Sequence, residues 1–202
     1  MKQKPDMMAL YPESDWMRWL IKAPILTWRL GLGPLVGKVM MILTTTGRKT
    51  GLPRHTMIEC HKINGKKYAP CAYGEKADYY QNILVDPRVT VQTADGTESM
   101  IASRVIDDEE LALFFKHGMD FAPGMLTWYL ESLGIEPTVD AVLENKDKIY
   151  WLRFDPTEEL TPPGLEVDLA WLWPLALVVV TMLWLFGRKG KRNRKQKRNR
   201  KA

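Results

Sequence analysis

The sequence predicts an α+β protein that is mainly β: about six antiparallel strands close into a small barrel with inserted helices, and one hydrophobic helix follows at the C-terminus. Residues 39–155 are strand-rich, and Asn64-Gly65 and Asp95-Gly96 are two hairpin signals within them. A closed barrel leaves no open sheet edge. The eighteen residues Leu169–Phe186 carry no charge and are mostly apolar, which predicts the final helix.

The strands follow from β-rich runs that are bounded by turn residues. They are Val39–Thr45, Arg54–Ile63, Lys67–Tyr73, Arg88–Thr93, Thr97–Val105 and Lys148–Phe154. The inserted helices are Ala77–Leu84, a helix from Asp107 toward Met119, and Leu126–Leu133. Asp86-Pro87 stops the first of these helices, and Asp107 with Glu110 forms a capping-box pattern at the start of the second.

The basic charge of the chain lies at its C-terminal end. The net charge is +5, but ten of the 29 Lys and Arg residues lie between Arg188 and Lys201. The rest of the chain has 19 basic against 24 acidic residues, a net charge of −5. Because these cations directly follow the apolar run, and tryptophans lie near the ends of that run, we expect them to bind anionic membrane lipid.

The N-terminal and C-terminal residues of the sequence predict on which side of the membrane the folded domain lies. The basic tail favours the cytoplasm, and residues 1–30 lack the continuous apolar core of a secretory signal. A run of eighteen apolar residues interrupted by Pro174 is short for a full span. We therefore expect shallow insertion or a marginal span, with the folded domain on the cytoplasmic face of the membrane. Trp16, Trp19 and Leu20 recur at helical spacing, which fits either an interfacial helix or a helix packed on the sheet.

Five segments result from these patterns. They are an N-terminal amphipathic helical segment (1–38), a barrel domain (39–158), a linker (159–168), a hydrophobic membrane segment (169–187) and a polybasic tail (188–202).

Histidine and cysteine residues do not indicate a metal site. Cys60 and Cys71 form no CxxC pair and favour a reducing compartment. Along an extended strand, His55 and His61 lie about 20 Å apart, too far to share an ion. Cys60 and His61 are neighbours on a strand, so their side chains point to opposite faces. We therefore predict no metal.

The turn Thr46–Arg54 is the strongest candidate for a binding site. Three cations, Arg48, Lys49 and Arg54, lie within seven residues and are interspersed with Gly47 and Gly51. Glycines permit close backbone approach and expose N–H groups, so the turn suits a phosphate or a carboxylate-rich tail.

With its flanking residues, this turn resembles the signature of the deazaflavin (F420)-dependent nitroreductases and quinone reductases. The upstream run Arg29-Leu30-Gly31-Leu32-Gly33 and the downstream run from Tyr79 to Val91 match the same family in the same order, over roughly residues 25–155. The chain departs from the family at Ala77-Asp78, where Pro and Trp are usual. The resemblance implies the split β-barrel shared with flavin-binding oxidoreductases.

The resemblance also implies the site residues. The coenzyme carries a phosphate and an oligoglutamate tail, and the family's phosphate contacts fall on Lys49 and Arg54. The residues implied in cofactor binding are Thr46, Gly47, Arg48, Lys49, Thr50, Gly51, Arg54, Tyr79 and Asn82. The candidates for proton donation and for the pocket wall are Tyr73, Tyr79, Trp128 and Tyr129.

The implied activity is hydride transfer from reduced F420 to a quinone-like or nitroaromatic acceptor. Two alternatives stay open at the sequence level. One is an FMN-dependent reductase with the same barrel, because its phosphate suits the same turn. The other is a non-enzymatic, membrane-anchored module with a polyanion-binding tail. The tail lacks the interleaved aromatics of a nucleic-acid binder, so lipid is the expected partner. The oligomeric state stays open.

Overall fold

One seven-stranded antiparallel sheet forms the centre of the protein in the computed structural model, which describes residues 23–182. The strands are β1 (Met40–Thr46), β2 (Pro53–Glu59), β3 (His61–Ile63), β4 (Lys66–Pro70), β5 (Arg88–Thr93), β6 (Gly96–Arg104) and β7 (Trp151–Pro156). Across the sheet their order is β2-β1-β5-β6-β7-β4-β3. The prediction of a mainly β, antiparallel domain is confirmed.

The seventh strand arises because the run predicted as one strand, Arg54–Ile63, is two. Its first part, β2, pairs with β1 at one end of the sheet, and its second part, β3, pairs with β4 at the other end. Between them Cys60 is buried, and its N–H donates to the Val39 carbonyl at 3.0 Å. β2 also contacts β4, so the sheet curls, but the described strands form no hydrogen-bonded ladder between β2 and β3.

Both predicted hairpins are confirmed. Asn64 (φ 50°) and Gly65 (φ 80°) have positive φ at both central positions of the β3–β4 turn, which matches the right-handed twist of the strands. Gly96 (φ 130°) joins β5 to β6 in a conformation that L-residues rarely adopt.

Several helices accompany the sheet. They are α1 (Ile25–Thr27), α2 (Gly33–Val36), α3 (Asp78–Val85), α4 (Asp108–Phe121), α5 (Pro123–Ser132) and α6 (Val139–Glu144), with a π-helical turn at Trp28–Leu32. The Asp107 carboxylate accepts the Glu110 N–H at 2.9 Å, as the capping pattern predicts. The Glu110 carboxylate instead accepts hydrogen bonds from Tyr68 and Arg153. The short helix α6 was not predicted; its cap is Thr138.

Two hydrophobic clusters pack against opposite faces of β4 and β7. Ala69 and Leu152 belong to the first cluster, and their neighbours Tyr68 and Trp151 belong to the second, as strand alternation requires. Helix α3 packs on the first cluster, and helices α4, α5 and α6 pack on the second. The first cluster supports the strands and the helix that surround the candidate site.

Residues 161–168, which we call the strap, run across the outer face of β5. Thr90 and Gln92 on that face are only 4% and 7% exposed, although strand alternation alone would leave them in solvent. The Gln92 amide pairs with both main-chain groups of Leu165, at 2.7 and 3.1 Å, and Thr90 donates to the Pro162 carbonyl. These contacts satisfy the buried polar groups.

The chain becomes helical again at residues 172–182. The helix in the expected hydrophobic segment, Leu169–Phe186, therefore begins later than predicted. Leu169 lies before the helix, and its N–H donates to the Arg29 carbonyl at 2.9 Å. Among residues 23–182 no helix has the length and apolarity needed to cross a membrane. The remainder of that segment, the basic tail and residues 1–22 lie outside the described residues.

Candidate active site

The turn between β1 and β2 uses most of its own backbone N–H groups. Gly47 donates to the Leu52 carbonyl at 2.9 Å, while Thr50 and Gly51 both donate to the Gly47 carbonyl, at 3.0 and 2.7 Å. Gly51 has φ 67°, which explains the glycine. These N–H groups are therefore not free for an anion, contrary to the expectation from the glycine pattern. The turn instead presents cationic side chains.

Arg48 and Asn82 join the turn to helix α3. The Asn82 amide oxygen accepts the Arg48 N–H at 3.1 Å and the Arg48 guanidinium at 3.2 Å, and its amide nitrogen donates to Thr45 Oγ1 at 2.9 Å. The guanidinium also pairs with the Asp78 carboxylate at 3.1 Å. Asn82 is 3% exposed, so it is a buried cross-link of the site.

Lys49 and Arg54 differ from Arg48 because neither forms an ion pair among the described residues. Arg54 makes a long hydrogen bond to Thr50 Oγ1, at 3.4 Å, and both side chains are exposed. Two cations without acidic partners on one rigid turn suit a phosphate or a carboxylate.

These cations line a cleft of about 1140 Å³ that surrounds the edge strand β2. The cleft is lined by the turn, by Tyr73, and by the start of α3, which includes Tyr79. Residues of the strap and of the N-terminal helices line it as well. The predicted site residues that line the cleft are Gly47, Arg48, Lys49, Thr50, Arg54, Tyr73, Tyr79 and Asn82. Thr46 and Gly51 lie in the same turn but are not part of its wall.

Tyr79 is half-buried, and its hydroxyl is hydrogen-bonded to the Cys71 thiol, which itself donates to the Gly74 carbonyl at 3.4 Å. Burial, together with Cys71, raises the pKa of Tyr79 well above its usual range. Burial also raises the pKa of Cys71 to about 11. Both groups are thus protonated at neutral pH.

Trp128 and Tyr129 lie on α5, outside the walls of the cleft. Tyr129 is 6% exposed within the second hydrophobic cluster, and its hydroxyl makes no hydrogen bond within residues 23–182. Burial raises the pKa of Tyr129, and this effect is larger than the opposite effect of the nearby Tyr150 backbone. Their assignment as catalytic residues stays a prediction that this geometry does not support.

Sequence reasoning missed several residues of the cleft, among them His55, Arg29, Glu166 and Asp168. His55 was considered only as a metal ligand. In the structure its Nδ1 lies 2.9 Å from Oγ1 of Thr44, and burial lowers the pKa of His55. Strand alternation could have placed His55 on one face of β2, but no local pattern predicts that residues 165–168 reach this cleft.

Acidification is expected to destabilise the fold through histidine. Burial lowers the folded-state pKa of His55 and of His117 below the ordinary 6.5. As the pH falls, these histidines therefore bind protons in the unfolded chain before they do so in the folded one. The free energy of unfolding has its full value above about pH 6.5 and decreases as the pH drops from there toward the folded pKa values.

Urea unfolding at pH 8, 7, 6 and 5 measures this effect. The variant His55→Gln/His117→Gln should show a smaller loss of unfolding free energy between pH 7 and 5 than the native chain. Carboxylates such as Asp86, whose pKa Arg88 lowers by hydrogen bonding, lose their contribution at lower pH. An equal loss in the double variant and in the native chain would contradict the assignment.

Residues 23–182 contain no cluster of three or more His, Cys, Asp or Glu side chains that could hold a metal ion. The rings of His61 and His117 pack edge to face, with centroids 5.3 Å apart. His61 also packs edge to face with Phe121, on which His117 stacks.

A mainly β domain fits a protein that binds an anionic small molecule or cofactor when, as here, its large cleft is lined by two cations that have no ion-pair partner within residues 23–182. A sequence profile described as "F420H(2)-dependent quinone reductase" matches residues 29–131, about half of the chain. The chain therefore belongs to the F420H(2)-dependent quinone reductase family. It is an F420H2-dependent reductase, and coenzyme F420 is its cofactor.

Solved structures give weaker likenesses. One is an F420-H2 dependent reductase (FDR-A), with 21% identity, 58% of this chain and 93% of that chain covered, and a TM-score of 0.43. A second is the conserved hypothetical protein Rv2991 from Mycobacterium tuberculosis, with 18% identity, 63% and 79% covered, and a TM-score of 0.39. A third is the heme storage protein HutZ from Vibrio cholerae, with 16% identity, 72% and 97% covered, and a TM-score of 0.40.

The residues of the cleft fit this cofactor. F420 supplies the hydride when it is bound, and its phosphate and glutamate carboxylates require cations. Lys49 and Arg54 provide such cations, neither of them in an ion pair within the described part of the chain, on a turn whose backbone is fixed by its own hydrogen bonds. The cleft is also large enough for a cofactor and a second small molecule.

Proposed function

We propose that this protein transfers hydride from reduced F420 to an uncharged quinone-type acceptor at the cytoplasmic surface of a membrane. The observation that carries the proposal is the pair Lys49 and Arg54, two cations with no ion-pair partner among the described residues, which line a cleft within the matched family region. Membership of a quinone reductase family supports a quinone as the acceptor. Nitroaromatic compounds are the second acceptor class.

Tyr73 and Tyr79 both line the cleft, and we take Tyr73 as the candidate for proton donation to the reduced acceptor. Burial and the contact with Cys71 raise the pKa of Tyr79 well above its usual range, which makes Tyr79 a poor acid. A positioned acid contributes on the order of 10²–10⁴ to a rate when water cannot replace it. The open cleft admits water, so we expect a smaller effect here.

The test is a quinone-reduction assay with F420H2 or reduced FMN as the donor. We expect turnover with F420H2 and a neutral naphthoquinone, and kcat about tenfold lower in Tyr73→Phe with little change in KM. The matched control Tyr79→Phe should change kcat less than about threefold. Turnover with reduced FMN but not with F420H2 would show that F420H2 is not the hydride donor in this reaction. A larger effect in Tyr79→Phe than in Tyr73→Phe would assign proton donation to Tyr79.

The membrane part of the proposal is supported by the apolar surface beside the cleft. Trp171, Trp173 and Leu177 are between half and three-quarters exposed, and residues 172–182 present apolar side chains in almost every direction. The Trp173 indole donates to the Leu30 carbonyl at 2.8 Å, which fixes this surface next to the N-terminal helices. A helix that is apolar all round requires another apolar partner. The ten cations of the tail suit anionic lipid headgroups.

Vesicle sedimentation checks this attachment. A chain that ends at Trp173 keeps the strap and should reduce a water-soluble quinone while losing vesicle binding. Replacing the ten cations of residues 188–201 with Gln should weaken binding to anionic vesicles, because each cation near such lipid contributes about 1 kcal/mol, but should change little with neutral vesicles. Equal losses on both vesicle types would assign the tail to another role, and unchanged binding of the shortened chain would disprove the attachment.

A further inference from the structure

We propose that the strap makes the cleft selective for acceptors without negative charge, and that Glu166 is the residue responsible. This inference rests on the proposed function and names a property of its acceptor. Leu165, Glu166 and Asp168 line the same cleft as the cationic turn. They lie outside residues 29–131, the region that the family profile matches. The chain thus adds a wall of its own to the cofactor cleft.

The strap side of the cleft carries a negative charge. Asp168 neutralises Arg29 in a two-pronged ion pair, with Oδ1 2.8 Å from Nε and Oδ2 2.5 Å from the terminal nitrogen. Glu166 forms no ion pair within residues 23–182, so its carboxylate charge is not balanced locally. Glu59 also lines this side, and its carboxylate lies 3.3 Å from His61 Nε2. Lys49 and Arg54 give the turn side the opposite sign.

The position of this charge is fixed by the backbone of the strap. Leu165, next to Glu166, is held by the two hydrogen bonds to the Gln92 amide. Gly164 packs so closely on Gln92 that a Cβ would lie 3.0 Å from its side chain. On the other side of Glu166, the Asp168 ion pair ties the strap to the N-terminal helices. The Glu166 carboxylate therefore stays beside the cleft instead of moving away with a loose loop.

The charge arrangement divides the cleft between two molecules. The anionic part of the cofactor is attracted to Lys49 and Arg54, so the acceptor occupies the remaining space toward the strap. A carboxylate there repels an anionic acceptor and has little effect on a neutral one. Glu166 is exposed, so the repulsion is screened by salt and amounts to a factor of a few rather than to an absolute barrier.

The test compares a neutral naphthoquinone with its sulfonate, using F420H2 and the full chain. In Glu166→Gln, kcat/KM for the sulfonate should rise about threefold, while that for the neutral quinone stays within about twofold. Glu166→Lys should raise the sulfonate value about tenfold. Added salt should narrow the difference between the two acceptors in the native chain but not in Glu166→Gln. The matched control is Glu158→Gln, an exposed carboxylate on the approach to the strap that does not line the cleft.

Equal changes for both quinones in Glu166→Gln, or the same change in Glu158→Gln, would overturn the inference. Its failure is distinguishable from failure of the proposed function. If neither quinone is reduced, the proposed function is wrong, and the dissociation constants of the two quinones, measured by equilibrium dialysis, still decide the charge selectivity. A sulfonate that binds more tightly to Glu166→Gln than to the native chain supports the inference, and equal binding refutes it.

Discussion

Replacing Lys49 and Arg54 together with alanine is expected to weaken F420 binding at least tenfold, and up to several hundredfold. Each side chain is exposed on a rigid turn and forms no ion pair among residues 23–182, so its charge is available to a phosphate or carboxylate. A hydrogen bond to a charged group contributes about 1.5–3 kcal/mol. Because both side chains are exposed, solvent screens these contacts, and losing two of them costs between about one and three orders of magnitude in the dissociation constant.

Fluorescence or absorbance titration of F420 measures this loss, and raised salt should reduce the affinity of the native chain more than that of the variant. The matched control is Lys38→Ala/Lys116→Ala, which removes the same net charge from two exposed lysines outside the cleft. The control should bind F420 as the native chain does. If a folded Lys49→Ala/Arg54→Ala protein keeps its affinity, the cationic turn does not hold the cofactor.

Arg48 should behave differently from its two neighbours, although the sequence places all three in one basic turn. Its guanidinium is already engaged by Asp78 and Asn82, so part of its charge is balanced and its side chain is fixed. The sequence shows three equivalent cations. The structure separates one cation that supports the turn from two that remain available to a ligand, and this distinction decides which variants test binding.

Much of the β-structure was predictable because local chemistry determines it. Asn64-Gly65 accepts positive φ at both positions, so this hairpin follows from two residues. The break at Cys60 was not predictable, because β-type residues continue across it. The split of that run depends on which sheet edge each half joins, and those pairings involve strands that lie far apart in the sequence.

The candidate site was predictable where one turn supplies it and not where separate segments meet. The motif located Lys49 and Arg54 and the tyrosine wall at Tyr73 and Tyr79. It did not reveal that Tyr79 bonds to Cys71, since that contact depends on how α3 packs over the end of β4. The motif also did not reveal the strap, which packs on Thr90 and Gln92 of β5. Strand alternation predicts that these two side chains face solvent, although both are buried.

These separate pieces explain how the cleft is able to support hydride transfer. Hydride transfer between two bound molecules requires a fixed relative geometry. The turn is fixed by its own backbone bonds and by Asn82, and the strap is fixed by Gln92 and by the Arg29–Asp168 pair. Because the turn and the strap are already held in place, few side chains and loops of the cleft have to become ordered when a ligand binds.

Replacing Asn82 with alanine is expected to lower the free energy of unfolding by about 2–4 kcal/mol, a large effect for one helix residue. The side chain is 3% exposed and satisfies Thr45, itself fully buried, as well as the Arg48 N–H. Alanine would leave these groups without partners and would open a small cavity, and both changes are destabilising.

The Asn82→Ala change should also weaken F420 binding, even if Asn82 makes no contact with the cofactor. Without it, the turn loses its link to α3 next to Lys49, so the cations must be ordered when the ligand binds. Urea unfolding and F420 titration measure the two effects. The control is Gln81→Ala on the same helix, whose amide makes a single exposed hydrogen bond to the Glu75 carbonyl at 2.9 Å. That control should cost less than about 1 kcal/mol and leave binding unchanged. A loss of stability in Asn82→Ala no larger than in Gln81→Ala would show that the buried amide does not hold the turn in place.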